Sequence, residues 1–334
     1  MQAMVLHEAH GIETAPLRLE DWPLPEPGPG EARLKVRCCA VCRTDLHLIE
    51  GELAGARLPV VPGHQAVGTV DALGAGCSRL RTGQRVGVAW LRSTCGRCTH
   101  CGAGRENLCE AARFTGYHEH GGYASYVLVP EAYAYEIPEA FEDVHAAPLL
   151  CAGIIGYRAL KRSRLPDGGS LAIFGFGSSA HLVLQIAKHR GCRVYAVSRG
   201  GRHLDHARAL GADWAGSDAG QLPEPVDSAI VFAPAGAVVP RALAAVRKGG
   251  TVAVAGIYLS QIPPLDYQAH LFHERDLRSV TANTREDGRE LLAEAARMAI
   301  RPDTTEYPLS EANRALQDLK ADRIAGTGVL LMAD

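Results

Sequence analysis

Hydrophobic positions in the first part of the chain, up to about Cys151, come in short runs separated by turn residues. Three of these runs are Ala32–Val36, Ala66–Val70 and Arg85–Ala89, and a Pro-Gly-Pro-Gly sequence precedes the first of them. Short runs between glycine and proline residues are typical of β-strands. We therefore predict an irregular, mostly β domain in this part of the chain.

From about Gly169, apolar runs alternate with segments whose apolar residues recur at helical spacing. The runs predict buried strands at Leu171–Phe174, Arg193–Val197, Ser228–Phe232 and Thr251–Ala255. The segments between them predict helices at Ser178–Arg190 and Arg202–Leu210. This alternation indicates a parallel sheet with covering helices. After about Arg285, a predicted helix (Gly288–Ala299) and a terminal strand (Gly328–Met332) do not obviously extend that sheet.

Length and composition narrow the possible partners. A chain of 334 residues usually forms two domains. A formal net charge of -2 leaves no basic excess, so we expect no nucleic-acid partner. The most apolar stretch, Ser228 to Val246, is interrupted by two prolines and a glycine, so we expect no membrane span. The amino terminus lacks the pattern of a secretory signal, and we expect a cytoplasmic protein.

Four of the ten cysteines fall within residues 95–109, a segment that we call the cysteine lobe: Cys95, Cys98, Cys101 and Cys109. Zinc in closed structural sites takes four ligands in a tetrahedron and is commonly held by thiolates. Gaps of two residues let a tight loop turn two sulfurs toward one ion. Disulfides or a coincidental cluster are the alternatives, and the expected cytoplasmic location disfavours disulfides. The lobe is therefore predicted to hold a structural zinc.

A glycine-rich turn follows the first strand of the second region and comprises Gly175, Gly177, Ser178, Ser179 and Ala180, with Phe176 between the glycines. The first glycine allows a tight turn, the second lets the backbone approach a pyrophosphate, and the third small residue permits close helix–strand packing. A pair of glycines alone is weak evidence. With a strand before it and a helix after it, the turn predicts a dinucleotide site.

The end of the second strand bears on which nicotinamide cofactor binds. An NAD-dependent enzyme usually carries Asp or Glu there for the ribose hydroxyls, whereas this chain has Ser198 and Arg199. Ser198 could donate a hydrogen bond to a 2′-phosphate, and Arg199 or Arg202 could pair with it. We therefore predict a preference for NADP(H) over NAD(H). The alternative is that Arg199 simply faces solvent on a turn.

Taken together, these motifs resemble the zinc-containing medium-chain alcohol dehydrogenases over nearly the whole chain. The resemblance rests on Ala-Val-Cys-Arg-Thr-Asp-Leu-His at 40–47, Pro-Gly-His at 62–64, the cysteine lobe, Cys151 and the glycine turn, all in the family's order. A bacterial branch similar to the cinnamyl alcohol dehydrogenases is the nearest in character. The resemblance implies an α/β fold: a GroES-like catalytic domain (residues 1–152 and 286–334) around a Rossmann domain with a doubly wound parallel sheet (residues 153–285).

The same resemblance implies a catalytic zinc bound by Cys42, His64 and Cys151, and hence two zinc ions per chain. Two thiolates and one imidazole leave a fourth position open for water or a substrate oxygen, as catalytic zinc requires. Asp45 then orients the imidazole of His64. Considered singly, the cysteines could equally be buried core residues and the histidine an ordinary hydrogen-bonded one. Only the combined pattern favours a metal site.

Further roles implied by the resemblance belong to residues close to Cys42. Thr44 would bond the reacting oxygen and His47 would form the outer end of a proton relay. Thr44 could instead be a helix N-cap. Arg43 and Arg285 would lie near the cofactor pyrophosphate, with the first assignment the firmer of the two. Both arginines could also be surface cations.

One position departs from the family pattern, because Gln65 follows the second zinc ligand where the family usually has glutamate. An amide keeps the shape but loses the charge, which should strengthen the zinc as a Lewis acid and slow ligand exchange. We expect Gln65 to tune turnover rather than abolish it. Candidate residues for an apolar substrate wall, each of which could instead be core packing, are Trp90, Leu91, Leu48 and Phe114.

The sequence thus predicts a zinc-dependent alcohol dehydrogenase or aldehyde reductase that transfers a hydride between NADP(H) and a primary alcohol or aldehyde. The runner-up is an NAD-dependent polyol- or threonine-type dehydrogenase, which usually needs polar pocket residues and an acidic NAD-binding residue. A zinc- and cofactor-binding protein without catalytic activity is the second alternative, and the substitution at Gln65 is its only support. The family resemblance implies a homo-oligomer, a tetramer or a dimer.

Overall fold

The computed structural model describes residues 1–333, which form two units that the chain enters more than once. The first unit contains Met1–Cys151, Ala282–Ala296 and the chain from Arg301 on. The second contains Ala152–Thr281 and Arg297–Ile300. The carboxy-terminal part therefore returns to the first unit, which explains why its apolar pattern does not continue the alternation of strands and helices before it.

A seven-stranded sheet dominates the first unit, with its strands in the order β16-β17-β3-β4-β5-β9 and β8 added beside β3. Two small antiparallel pairs, β1–β2 and β6–β7, complete the strands. The bounds are β1 Gln2–Leu6, β2 Leu17–Asp21, β3 Glu31–Ala40, β4 Ala66–Leu73, β5 Arg85–Val88, β6 Leu91–Ser93, β7 Arg113–Phe114, β8 Tyr126–Pro130, β9 Tyr135–Glu136, β16 Thr304–Pro308 and β17 Thr327–Leu331. The mostly β character and the three strands predicted in this region are confirmed.

Burial in the first unit follows the two-residue period of a sheet with one packed face. Along β3, Ala32, Leu34 and Val36 are buried while Arg33 and Lys35 are less so. The terminal strand β17 pairs antiparallel with the end of β3, which places the carboxy-terminal segment beside the strand that leads to Cys42.

Helices of the first unit are α1 Arg43–Ile49, α2 Thr99–Gly102, α3 Asp143–Ala146, α9 Arg285–Arg297 and α10 Ala312–Lys320. Single 3₁₀ turns lie at Ile12–Thr14, Glu106–Leu108, Glu131–Tyr133, Ala147–Leu150 and Leu309–Glu311. The helix predicted at Gly288–Ala299 is confirmed, although it begins three residues earlier, at Arg285. Helix α1 matters most for function, because it starts immediately after Cys42.

In the second unit, six parallel strands run in the order β12-β11-β10-β13-β14-β15. They are β10 Ser170–Phe174, β11 Arg193–Val197, β12 Trp214–Gly216, β13 Val226–Val231, β14 Val246–Val254 and β15 Asp276–Ser279. Counted along the chain, this is the strand order of the doubly wound Rossmann sheet. The predicted sheet is therefore confirmed. The first strand, β10, is buried along its whole length, as expected for the centre of a parallel sheet.

The helices of the second unit are α4 Ala152–Ser163, α5 Ser178–His189, α6 Gly201–Ala209, α7 Val238–Ala245 and α8 Tyr267–His270, with a 3₁₀ turn at Ala219–Gln221. The two helices predicted around α5 and α6 are confirmed. The two edge strands, β12 and β15, were not predicted: they have three and four residues, and neither is fully buried. Such short, polar edge strands carry little hydrophobic periodicity.

Two negative expectations can be compared with the described residues. All ten cysteines are free thiols in this structure. None of the helices within residues 1–333 combines the length and apolar character that a bilayer span requires.

Candidate functional site

The start of helix α1 positions the first predicted zinc ligand. Cys42 is the N-cap of the helix, and its sulfur accepts a hydrogen bond from the amide of Thr44 at 3.3 Å. In return, the amide of Cys42 donates to Oδ2 of Asp45 at 2.9 Å. This reciprocal pair is a capping box in which a cysteine takes the place usually held by serine or threonine. The sulfur is therefore held in a defined position by local backbone geometry.

Asp45 links this helix start to the second predicted ligand. While its Oδ2 accepts from Cys42, its Oδ1 lies 3.1 Å from Nδ1 of His64. Both side chains are almost fully buried, at 2% and 1% exposed. The carboxylate thus directs Nδ1 of the imidazole toward itself and leaves Nε2 facing the sulfur of Cys42, 3.2 Å away. The ring edge of His64 packs against Trp90, with centroids 4.9 Å apart.

Three ligand atoms from distant parts of the sequence meet at one point, and we call this group the three-ligand cluster: Cys42, His64 and Cys151. All three atoms lie within 4.8 Å of one another. A tetrahedral zinc with Zn–S of about 2.3 Å and Zn–N of about 2.0 Å holds sulfur about 3.5 Å from nitrogen and about 3.8 Å from a second sulfur. The spacing and the donor types both fit zinc.

The electrostatics of the three-ligand cluster favour the metal-binding form of Cys42. Burial by itself would raise the pKa of this thiol, but the hydrogen bond with Cys151 and the charge of His64 lower it to about 5. The thiolate is the form of cysteine that binds metals. The same hydrogen bond with Cys42, together with burial, raises the pKa of Cys151 well above its ordinary value, so this second thiol would become a ligand through the positive charge of a bound zinc.

Local geometry alone assembles the cysteine lobe. The sulfur of Cys95 lies 3.5 Å from that of Cys109 and 4.0 Å from that of Cys101, close to the spacing in a tetrahedral zinc site. All four sulfurs lie within 4.8 Å of one another. Amides point at these sulfurs: Cys101 donates to Cys98 at 3.5 Å. Hydrogen bonds from the amides of Arg97 and Cys98 lower the pKa of Cys95 to about 6, which also favours a thiolate.

The predicted relay residues lie on one face of α1, one turn apart. Thr44 is 8% exposed and the side chain of His47 is 17% exposed. Nδ1 of His47 contacts Oε2 of Glu52, whose side chain is half exposed. Sequence reasoning missed Glu52. The signal that could have found it is Gly51 directly after the helix, because a glycine there turns the chain back over the last helical turn.

Gln65 is completely buried beside His64. Its Nε2 donates to the carbonyl of Ala40 at 3.4 Å, and its own carbonyl accepts from the amide of Ala40. Its Oε1 is buried and has no hydrogen-bond partner among the described residues. The side chain is therefore anchored to β3 by its nitrogen, and its buried oxygen is left unsatisfied, one residue after the ligand His64.

The glycine turn has the geometry expected of a dinucleotide site. Gly175 has φ of +87°, and a Cβ there would lie 2.7 Å from the amide nitrogen of Ala233, so only glycine fits. Around the backbone of Gly177 no heavy atom comes within 4 Å of an added Cβ, which leaves room for a phosphate to approach. Helix α5 begins at Ser178, so the amides of Ser178, Ser179 and Ala180 form its first turn.

The predicted cofactor-recognition residues fall into two groups. Ser198 lies directly after β11, where its amide donates to the carbonyl of Gly216. Arg199 and Arg202 are exposed at the start of α6, and Arg43 is exposed at the start of α1. In contrast, Arg285 is engaged within the first unit: its Nε lies 2.8 Å from Glu106, and its guanidinium stacks over Tyr133. Arg285 therefore has a structural role, because its ion pair with Glu106 joins α9 to the cysteine lobe.

Two of the four candidate wall residues are packed differently from the other two. Leu48 and Leu91 are 3% and 1% exposed, and Leu48 belongs to the hydrophobic core. Trp90 and Phe114 are half-buried and stack on each other, with centroids 4.9 Å apart and planes 15° from parallel. His118, which the sequence did not single out, extends this stack from Phe114. The aromatic row therefore begins at His64 and runs away from the three-ligand cluster.

Comparison with known proteins agrees with this geometry. Residues 28–139 match the model of the alcohol dehydrogenase GroES-like domain, and residues 180–297 match that of the zinc-binding dehydrogenase domain. The "Probable alcohol dehydrogenase AdhA" of Mycobacterium tuberculosis is 48% identical over 99% of this chain and 97% of its own length.

Two solved structures have the same fold throughout. The cobalt- and zinc-bound thermostable alcohol dehydrogenase from Pyrobaculum aerophilum superposes with a TM-score of 0.89 at 25% identity, over 99% of each chain. The acetophenone reductase from Geotrichum candidum, in complex with NAD, does so with a TM-score of 0.88 at 26% identity, over 99% of this chain and 96% of its own. The chain is an enzyme, and it belongs to the zinc-type, medium-chain alcohol dehydrogenase family, which uses zinc and a nicotinamide cofactor.

Proposed function

We propose that this enzyme is a zinc-dependent alcohol dehydrogenase and aldehyde reductase that interconverts primary alcohols and aldehydes with NADP(H). The observation that carries the proposal is the three-ligand cluster, in which Asp45 accepts a hydrogen bond from the amide of Cys42 and lies 3.1 Å from Nδ1 of His64. Zinc bound there would polarise the substrate oxygen, while the nicotinamide would accept or supply the hydride. A second zinc in the cysteine lobe would make two per chain.

Two residues of α1, Thr44 and His47, would transfer the substrate proton toward solvent. Thr44 is buried in the first turn of the helix, two residues after the ligand Cys42, and its hydroxyl would hydrogen-bond the hydroxyl or carbonyl oxygen of the substrate. His47 lies one turn further along and is more exposed, so it can exchange the proton with solvent. The greater exposure of His47 than of Thr44 supports this direction of transfer.

The proposed preference for NADP(H) depends on charge at the end of β11. No carboxylate follows this strand, because Ser198 and Arg199 occupy the two positions and Arg202 follows in α6. A 2′-phosphate carries nearly two negative charges, and exposed guanidinium groups pair with it in a bidentate manner. The phosphates that join the two nucleotides would lie on the amides of Gly177 to Ala180. We propose Arg43 as a further cofactor-binding residue because of its place directly after Cys42 in the motif on which the family resemblance rests.

Packing around His64 supports aromatic or aliphatic primary alcohols and their aldehydes as substrates. The stacked rings of Trp90 and Phe114 form an apolar wall that starts at the ligand His64. Burial of a hydrocarbon group against an apolar wall is favourable. Burial of a sugar or a charged group there costs free energy, because polar atoms lose their contacts with water. The bacterial branch similar to cinnamyl alcohol dehydrogenases is part of this proposal.

The two alternatives predict different results. An NAD-dependent polyol- or threonine-type enzyme would need an acid after β11 and polar groups at the wall, and the residues there are arginine and aromatic. A zinc- and cofactor-binding protein without catalytic activity would retain all the ligands and show no turnover. The charge after β11 and the aromatic wall favour the dehydrogenase with NADP(H) over the polyol- or threonine-type enzyme.

Catalytic efficiency for an aromatic aldehyde, measured with NADPH and with NADH before and after chelation of zinc, tests the proposal. We expect turnover with NADPH that disappears with the metal, and about two zinc ions per chain by elemental analysis. Turnover with NADH only would overturn the cofactor preference and leave the chemistry intact. No turnover with either cofactor would favour the non-catalytic alternative.

We also propose that the enzyme is a cytoplasmic homo-oligomer, either a tetramer or a dimer. We propose further that its domain boundaries lie between residues 152 and 153 and between residues 285 and 286. Six of the ten cysteines would be zinc ligands and the other four form no disulfide, which suits a reducing compartment. Strand β15 is an edge of its sheet, and Leu277 on it is 37% exposed, with Phe272 nearby in sequence at 50%. Exposed apolar residues at a sheet edge support association of subunits. Sedimentation equilibrium would measure the assembly.

A further inference from the structure

The end of helix α1 places a carboxylate against the predicted relay histidine. The amide of Gly51 donates to the carbonyl of Leu48 at 3.1 Å, and the amide of Glu52 donates to the carbonyl of His47 at 2.9 Å. These two bonds form a Schellman motif, which needs a left-handed residue, and Gly51 has φ of +77°. The turn brings Glu52 back over the helix, where its Oε2 contacts Nδ1 of His47.

This contact determines which nitrogen of a neutral His47 carries the proton. An ionised carboxylate only accepts hydrogen bonds, so the nitrogen that faces Glu52 must be the donor, Nδ1–H. The lone pair of the ring then belongs to Nε2. A relay that removes a proton from an alcohol needs such a lone pair on the side from which the proton arrives. The tautomer held by Glu52 is therefore the one that alcohol oxidation requires.

The other carboxylates on or directly after α1 contact other partners. Glu50, two residues before Glu52, pairs with Lys320 of α10 at 2.7 Å and accepts the amide of Ile12 at 3.2 Å. Asp45, on the same helix, faces His64 and the amide of Cys42. Of the carboxylates on or directly after α1, Glu52 is thus the one that contacts His47, and its half-exposed side chain borders solvent.

We propose that Glu52 is a positioning residue for the proton relay, one that holds His47 in the Nδ1–H tautomer with Nε2 as the acceptor. The inference rests on the proposed function. In alcohol oxidation the substrate O–H bond breaks, and its proton leaves by way of the hydroxyl of Thr44 and reaches Nε2 of His47 through water or a hydroxyl group between the two residues. The imidazolium then releases its Nδ1 proton to water beside Glu52, and proton exchange with water restores the Nδ1–H tautomer. The electron pair leaves with the hydride of the dehydrogenase reaction, so the relay moves protons only.

Two substitutions separate the acceptor from the charge. Glu52→Gln keeps an oxygen that can accept from Nδ1–H, whereas Glu52→Ala removes the acceptor. Glu50→Gln is the matched control, because it changes a carboxylate at the same helix end whose partners are Lys320 and Ile12. The tautomer of His47 is read by NMR of ¹⁵N-histidine in the zinc-loaded enzyme, together with kcat and KM for alcohol oxidation in H₂O and D₂O.

We expect the wild type, Glu52→Gln and Glu50→Gln to show the Nδ1–H tautomer, and Glu52→Ala to show a substantial Nε2–H population. In Glu52→Ala, kcat should fall about tenfold, KM should change less than about twofold, and the solvent isotope effect should rise because proton transfer limits the rate. A wild-type tautomer in Glu52→Ala, or equal effects in Glu50→Gln, would overturn the role of Glu52 while the proposed function stands. A wild type without turnover would overturn the proposed function and the relay with it.

Discussion

The two cysteine-containing clusters of this enzyme are built in opposite ways. The three-ligand cluster draws Cys42, His64 and Cys151 from positions more than twenty residues apart, and one buried carboxylate, Asp45, fixes the first two. The cysteine lobe takes its four sulfurs from fifteen consecutive residues and holds them with backbone amides. One site depends on the tertiary fold, while the other is assembled by a loop. Mutation of the three-ligand cluster should therefore lower activity, whereas mutation of the cysteine lobe should lower stability.

The largest expected effect is the loss of catalytic efficiency when the three-ligand cluster loses one of its ligands. Cys151→Ser should lower kcat/KM for alcohol oxidation by about a thousandfold or more, because loss of the metal removes several kcal/mol of charge stabilisation in the transition state. Zinc should fall from about two to about one per chain by elemental analysis. The control Cys77→Ser changes a thiol outside both clusters and should keep both zinc ions. Retention of two zinc ions by Cys151→Ser would contradict the ligand assignment.

Cys98→Ser should affect stability instead. Loss of the lobe metal removes folding energy that the ion supplies, and we expect Tm to fall by about 5–10 °C by differential scanning calorimetry. One zinc should remain, and kcat per remaining zinc should stay within about threefold of the wild type. If this variant lost activity as completely as Cys151→Ser, the contrast between the two clusters would be wrong.

Asp45→Asn tests the three-ligand cluster without removing a ligand, because it changes the carboxylate that contacts both Cys42 and His64. An amide offers one oxygen where the carboxylate offers two, so either the helix cap or the contact with His64 is weakened. We expect the affinity of the three-ligand cluster for zinc to fall about 10- to 100-fold in a chelator competition assay. Asp71→Asn, whose carboxylate pairs with Arg33, is the control and should bind zinc normally.

A smaller effect is expected at the cofactor site. Arg199→Ala should raise KM for NADPH about tenfold and leave KM for NADH nearly unchanged, since only the former carries a 2′-phosphate. Arg241→Ala removes another exposed arginine of the same unit and should change neither constant. Equal KM values for NADPH in Arg199→Ala and the wild type would leave Arg199 as a solvent-facing residue.

The smallest effect concerns Gln65. Gln65→Glu places a charge where the unsatisfied Oε1 now lies, and we expect kcat to change by no more than about tenfold while zinc exchange becomes faster. Stopped-flow kinetics and exchange of isotopically labelled zinc measure the two quantities. An increase in kcat of several orders of magnitude would mean that the natural site is impaired.

Predictions from sequence succeeded where the signal is local. The buried strands β10, β11, β13 and the second half of β14 were predicted, because fully buried parallel strands are short apolar runs. The first half of β14 was missed, since Arg247 and Lys248 are exposed there. The small pairing strands β1 and β2 were also missed. Strand β2 is mixed in polarity, whereas β1 is a short apolar run that its sequence could have revealed.

The sequence by itself determined the spacing of the cysteine lobe and the glycine turn, because each depends on atoms only a few residues apart. The N-cap of α1 was not predicted: the sequence offered Thr44 as an alternative, and the structure has Cys42 there. Tertiary structure alone decided that Cys151 meets Cys42, that Asp45 serves two ligands, that Arg285 pairs with Glu106, and that Leu48 belongs to the core rather than the wall. The physical reason is chain connectivity. Distances across many residues depend on how sheets pack and pair, and no local pattern encodes that packing.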